Sequence, residues 1–180
     1  DGIALAQPLP LFPLDTVLFP GGQLALRVFE ARYLDLMSRC LREGCGFGVV
    51  CLKQGSEAGR SELPVELEPV GTLAHLAEVD ADVPGLLSVR CVGGSRFSFA
   101  TLRCQPDGLW LAEGVRLLDD DPPTSPGPRF ADATEALSRA LAALELRAAS
   151  PVPVDRRLDD AGWVANRWCE LLPISIAARQ

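Results

Sequence analysis

One imidazole and one ammonium side chain, His75 and Lys53, bound the catalytic chemistry open to this chain of 180 residues. Nucleotide-driven work requires Gly-x4-Gly-Lys-Ser/Thr, whose backbone cradles phosphates while the lysine reaches them. Lys53 is followed by Gln54 and has no such loop before it. A Ser–Lys dyad would also have to use Lys53, which lies in an apolar strand pattern with no motif around it. His75 is the sole candidate imidazole base for a Ser-His-Asp or Cys-His arrangement. It stands in GTLAHLAEV, an alternating stretch, and no Gly-x-Ser-x-Gly elbow occurs. A lone strand histidine is ordinarily a surface or half-buried residue, so the catalytic set is expected to be empty.

Metal and redox chemistry find little more. The six cysteines are Cys40, Cys45, Cys51, Cys91, Cys104 and Cys169, without a Cys-x-x-Cys pair. Zinc would require such pairs or several histidines. Cys40, Cys91, Cys104 and Cys169 fall in apolar or alternating segments, which predicts free thiols acting as small buried hydrophobes. Carboxylates are abundant but lie in loops, where solvation is their default. No cofactor and no metal are expected.

The elements around these residues indicate a β-rich domain followed by helices. Leu9–Leu14 and Gln23–Val28 read as strands about a Pro20-Gly21-Gly22 turn. Pro8, Pro10 and Pro13 each remove a backbone donor, so the first strand is expected to be short, irregular or at a sheet edge. Helical spacing then runs over Glu30–Glu43, with Tyr33, Leu34, Met37, Cys40 and Leu41 on one face and Gly44 ending it. Gly46–Lys53 reads as a buried strand, and 54–69 as a solvated acidic loop, with a lid or partner-contacting loop as the alternative. A β meander follows in Val70–Asp80, Leu86–Val92, Arg96–Arg103 and Trp110–Leu118, with a turn at Gly93–Ser95. Asp119–Pro128 carries three acids and four prolines and reads as a semi-rigid linker. Two helices close the chain, Asp132–Arg147, opening on a near capping box at Asp132 and Glu135, and Asp155–Leu172, ended by Pro173.

Composition excludes several partners. The net charge of -7 and scattered arginines disfavour nucleic acid, which is held by clustered cations, and disfavour an anionic membrane. No apolar stretch approaches the roughly 18 residues of a membrane span, and no signal-peptide pattern opens the chain. A cytoplasmic location is the expectation.

LPLFPLDTVLFPGGQLALRVFEARYLDLM at Leu9–Met37 resembles the opening pattern of Lon protease amino-terminal, substrate-binding domains. GTLAHLAEV at Gly71–Val79, GGSRFSF at Gly93–Phe99 and DDAGWVANRWCELLPIS at Asp159–Ser175 are similar to later blocks of that family, in the right order. The resemblance, to a free-standing bacterial member, implies a mixed α+β fold: a PUA-like pseudo-β-barrel with a helix packed on it, then a helical pair. The acid- and proline-rich stretch, which matches no family motif, divides the chain into expected subdomains at 1–120 and 131–180 joined by a Pro-rich linker at 121–130. The resemblance also implies a non-catalytic module that binds polypeptide segments or unfolded proteins, with a separate protease as a further partner. PUA-like folds elsewhere bind RNA, but a fold does not carry function with it. The alternatives are an adaptor docking on one folded partner and a hydrolase using His75.

The peptide contact is expected in a groove beside the FEARY segment, through Phe29, Glu30, Arg32 and Tyr33. These side chains combine apolar area with charge, although Glu30 and Arg32 equally suit a helix start. An open sheet edge near Leu9–Leu14 is expected to add main-chain bonding by strand addition. Phe29, Tyr33, Gly71 and Phe97 are also the expected structural keystones.

Overall fold

A computed structural model describes residues 2–53, 65–147 and 155–180. Two apolar cores on opposite faces of one curled sheet organise it. Strands β1 (Leu9–Leu14), β2 (Gln23–Val28), β3 (Phe47–Cys51), β4 (Val70–Val83), β5 (Leu86–Ser98), β6 (Thr101–Cys104) and β7 (Trp110–Glu113) lie in the order β2-β5-β4-β3-β1-β7-β6, and β8 (Arg116–Leu117) pairs with β5. Helix α1 (Ala31–Glu43) buries Tyr33, Leu36, Met37 and Cys40, which join Phe12, Val28, Phe47 and Val49 in the first core. Leu11, Val50, Phe97, Ala112 and Val115 form the second. Alternation along β1 and β3 sends successive side chains to opposite faces, so all five residues of β3 are buried.

Strand β1 is not an edge. It pairs in parallel with β3 over Leu11–Leu14 and antiparallel with β7 over Leu9–Pro10. Its two halves take their partners on different flanks, and each half leaves backbone positions uncalled on the other. Prolines are tolerated where no ladder bond is called for. The open ends of the sheet are β2 and β6 instead, which removes the expected strand-addition edge at Leu9–Leu14.

The Gly93–Ser95 turn is likewise absent, because β5 runs unbroken from Leu86 to Ser98. Close approach accounts for the glycine. Gly93 exchanges backbone hydrogen bonds of 2.8 Å with Gly21 and Gly22, and a Cβ on it would meet the Phe19 carbonyl oxygen at 2.2 Å. Gly71 and Phe97 have the expected keystone role: a Cβ on Gly71 would meet the Phe97 ring at 2.6 Å. Gly114, at φ 63, separates β7 from β8.

Of the acidic 54–69 segment, 54–64 lies outside the described residues. Val65–Pro69 is no solvated loop: Leu67 is buried, Lys53 N donates to Glu66 O, and Glu68 N donates to Cys51 O. Cys104, expected inside, is exposed, whereas Cys51 is buried.

Helix α2 (Ala131–Leu146) and helix α3 (Ala161–Leu171) pack through Leu137, Leu141, Trp163 and Val164. No side chain caps α2, and Glu135 pairs with Arg139 rather than closing a capping box. Helix α3 starts later than the expected Asp155 because the Asp160 carboxylate accepts from Gly162 N at 3.1 Å and fixes the first turn. A short helix, α4 (Ile176–Arg179), follows Pro173. Among the described residues no helix is long and apolar enough to cross a membrane.

Candidate functional site

The FEARY segment lies where β2 hands over to α1, and its four side chains diverge. Glu30 is the extended residue before the helix, at φ -78 and ψ 136. Its Oε2 accepts from Arg32 Nε at 3.0 Å and from Nη2 at 2.9 Å, a two-pronged charge-assisted contact. Arg32 Nη1 donates to the Gly108 carbonyl at 2.7 Å, and its guanidinium carbon lies 4.7 Å from the Tyr33 ring centre. Gly108, at φ +88, leaves room for this guanidinium, since a Cβ there would lie 3.0 Å from Nη1. Arg32 is thus held from both ends.

Tyr33 points inward. It is 6% exposed and stacks on Phe12 with ring centres 4.1 Å apart. Burial pushes its hydroxyl pKa up, against the opposing pull of Arg32. Phe29 behaves oppositely: expected as a keystone, it is 68% exposed. The structure therefore brings Phe29 and Glu30 to the surface over a half-buried Arg32, with Tyr33 in the core beneath. The helical period decides this, because Tyr33 shares its face with Leu36, Met37 and Cys40.

His75 is exposed, and its ring lies over Gly46 and Gly94; Cβ atoms on these would come within 3.0 and 2.9 Å of its nitrogens. Two glycines therefore form its bed. Among the described residues no group of three or more His, Cys, Asp or Glu is placed to hold a metal.

A cleft of about 1420 Å³ lies between the sheet and α3, lined in part by Leu18, Gly71, Gly93, Arg96, Asp160 and Trp163. Beside it stands the residue that sequence reasoning missed. Arg167 is fully buried; its Nη2 donates to Pro20 O at 2.9 Å and to Glu170 Oε1 at 2.8 Å. Its guanidinium lies 5.4 Å from the Trp163 ring centre. The signal was a charge inside the apolar run WVANRWCELL, since a buried charge requires a partner. Burial shifts both groups toward neutrality, lowering the Arg167 pKa and raising that of Glu170 despite their mutual attraction.

The chain is mixed α+β, with a sheet curled into a half-barrel, one helix packed on it and a helical pair behind, the architecture of Lon N-terminal domains. The chain belongs to the ATP-dependent protease La (LON) substrate-binding domain family, whose model matches residues 8–180. It is similar to the Lon N-terminal domain protein from Xanthomonas campestris, at 34% identity and a TM-score of 0.75, over 96% of this chain and 87% of that one. The N terminal domain of Mycobacterium avium complex Lon protease aligns at 17% identity and a TM-score of 0.49, over 79% and 70%. No curated protein matches the chain.

Proposed function

We propose that this domain is a non-catalytic module that recognises exposed polypeptide segments through the surface where β2 meets α1. The observation carrying this reading is Phe29: a large aromatic side chain, 68% exposed, directly after a strand at an open end of the sheet. Beside an open strand, an exposed aromatic adds side-chain contact to the main-chain bonding of an added segment. The Glu30–Arg32 pair beside it is fixed to Gly108 and offers polar recognition without further ordering. The free side of β2 supplies main-chain donors and acceptors for an added strand. In this role Tyr33 supports the surface from below, and Arg32 positions Glu30.

The bound segment is a client of a protease, carried in the same or a separate chain, and the compartment is the cytoplasm. We take 1–120 and 131–180 as subdomains joined by 121–130, in keeping with the separate apolar cluster of the helical pair.

Titration of the full chain with a reduced and alkylated, permanently unfolded protein tests the reading. Phe29→Ser is expected to weaken binding at least several-fold, and Glu30→Gln to a lesser degree, with unchanged circular dichroism. Unaltered affinity in both variants would remove the site. Preference for one folded partner at fixed stoichiometry would instead support an adaptor.

A further inference from the structure

Outside the surface described above, two thiols meet at the far end of α1. Cys40 is buried in its last turn. Gly44, at φ 63 and ψ 29, then turns the chain back on itself in the left-handed region that glycine adopts without cost from a Cβ. Cys45 is thereby returned over the turn it has just left. Its Sγ donates toward Cys40 Sγ at 3.7 Å. Among the described residues no other cysteine pair shows such an S–H···S contact.

We infer that Cys40 and Cys45 form a reversible intrachain disulfide by exchange with a small-molecule disulfide. The sulfurs need to close from 3.7 Å to about 2 Å. Cys45 is half-buried and reaches solvent, and a Cβ on Gly44 would meet nothing within 4 Å, so the turn has space to adjust. The reaction balances in two exchanges. Cys45 loses its proton to solvent, and its sulfur attacks the small disulfide, forming a mixed disulfide and releasing one thiolate. Cys40 then loses its proton, its sulfur displaces the second thiolate from Cys45, and the protein disulfide closes. The protein gives up two electrons, and the small disulfide becomes two thiols carrying the two protons. Burial pushes the Cys40 thiol up to about 12, so closure quickens as pH rises.

The full chain is incubated with oxidised glutathione, and free thiols are counted in denaturant. Closure is expected to remove the Cys40 and Cys45 thiols without adding glutathione to either, beside any adduct on the exposed Cys104, and dithiothreitol is expected to restore all six. Trypsin cuts after Arg39, Arg42 and Lys53, so non-reducing digestion is expected to join Cys40–Arg42 to Glu43–Lys53. The joined species is expected to survive Cys51→Ser and to vanish in Cys45→Ser. Cys40→Ala is expected to stop at a glutathione adduct on Cys45. Six thiols retained by the wild type, a stable adduct on its Cys45, or a link through Cys51 would each overturn the inference. Fragment sequencing of the wild-type digest reads the same link should a variant fail to fold.

Discussion

Arg167 Nη2 lies 2.9 Å from the carbonyl oxygen of Pro20, so α3 reaches across to hold the turn that leads into β2. Those two residues stand 147 positions apart, and their bond ties the helical pair to the sheet. Removing the guanidinium strips the Pro20 carbonyl of this donor and leaves the Glu170 carboxylate without its hydrogen-bonded cation.

Arg167→Ala is accordingly expected to lower the unfolding free energy by roughly 3 kcal/mol, the usual cost of breaking a buried pair from one side. Urea denaturation measures it. Arg167→Ala combined with Glu170→Ala is expected to recover part of the loss. Arg139→Ala, which breaks the exposed pair with Glu135, is expected to stay within about 0.5 kcal/mol of wild type.

Glu170 gives a pH signature of unusual sign. Burial raises its folded pKa above the ordinary glutamate value, and the attraction of Arg167 offsets this only in part. The folded state therefore binds the proton more tightly than the unfolded chain does. Its contribution is fully present below the unfolded pKa and is lost as pH rises through the higher folded value. The stability difference, wild type minus Glu170→Gln, is expected to increase as pH is lowered from neutrality into the ordinary glutamate range. A flat difference across paired denaturation curves would refute it.

Two adjacent glycines provide a contrast free of charge effects. Gly93→Ala places a methyl 2.2 Å from a backbone oxygen and strains the paired bonds to Gly21 and Gly22. A loss of about 1–3 kcal/mol is expected, as for other overpacked sites. Gly94→Ala meets the end of the exposed His75 side chain at 2.9 Å, which can swing aside. Its cost is expected to be well below that of Gly93→Ala, and equal thermal shifts would contradict the packing account.

Phe29 and Tyr33 are four positions apart but are expected to separate binding from stability. Tyr33→Ala empties a buried site stacked on Phe12 and is expected to cost about 3–5 kcal/mol. Phe29→Ala alters an exposed side chain and is expected to change stability by no more than about 0.5 kcal/mol. Measuring both by denaturation decides which variant is usable as a binding probe.

The fold was legible where periodicity is strong. The buried β3 run and the terminal helical pair follow from apolar spacing alone; in α1 the spacing placed Tyr33, Met37 and Cys40 correctly, but Leu41 is 54% exposed and Leu36 is buried in the face instead. What escaped depends on contacts distant in sequence. The prolines suggested an edge for β1, but only the whole topology shows that its two halves pair on different sides. Gly93 and Gly94 looked like a turn because a glycine needed for close approach reads the same as one needed for a bend. In the candidate site, Phe29 and Tyr33 looked alike as aromatic residues. The helix phase, fixed by where Glu30 ends the extended backbone, sends one to water and the other to the core. Arg167 was visible as a charge in an apolar run with Glu170 three residues on, but its second acceptor, Pro20, lies 147 positions away.

The placement of β1 also orders events during synthesis. Its neighbour β7 is made about a hundred residues later, and Leu9 waits for Ala112 before its ladder is complete. Pairing across such separations is slow because loop closure precedes the contacts that reward it. During synthesis, Leu9 and Pro10 therefore stay without their antiparallel partners until Leu111 and Ala112 have left the ribosomal tunnel. The parallel half of the strand, Leu11–Leu14, finds β3 about forty residues on, so the two halves of one strand are completed at different times.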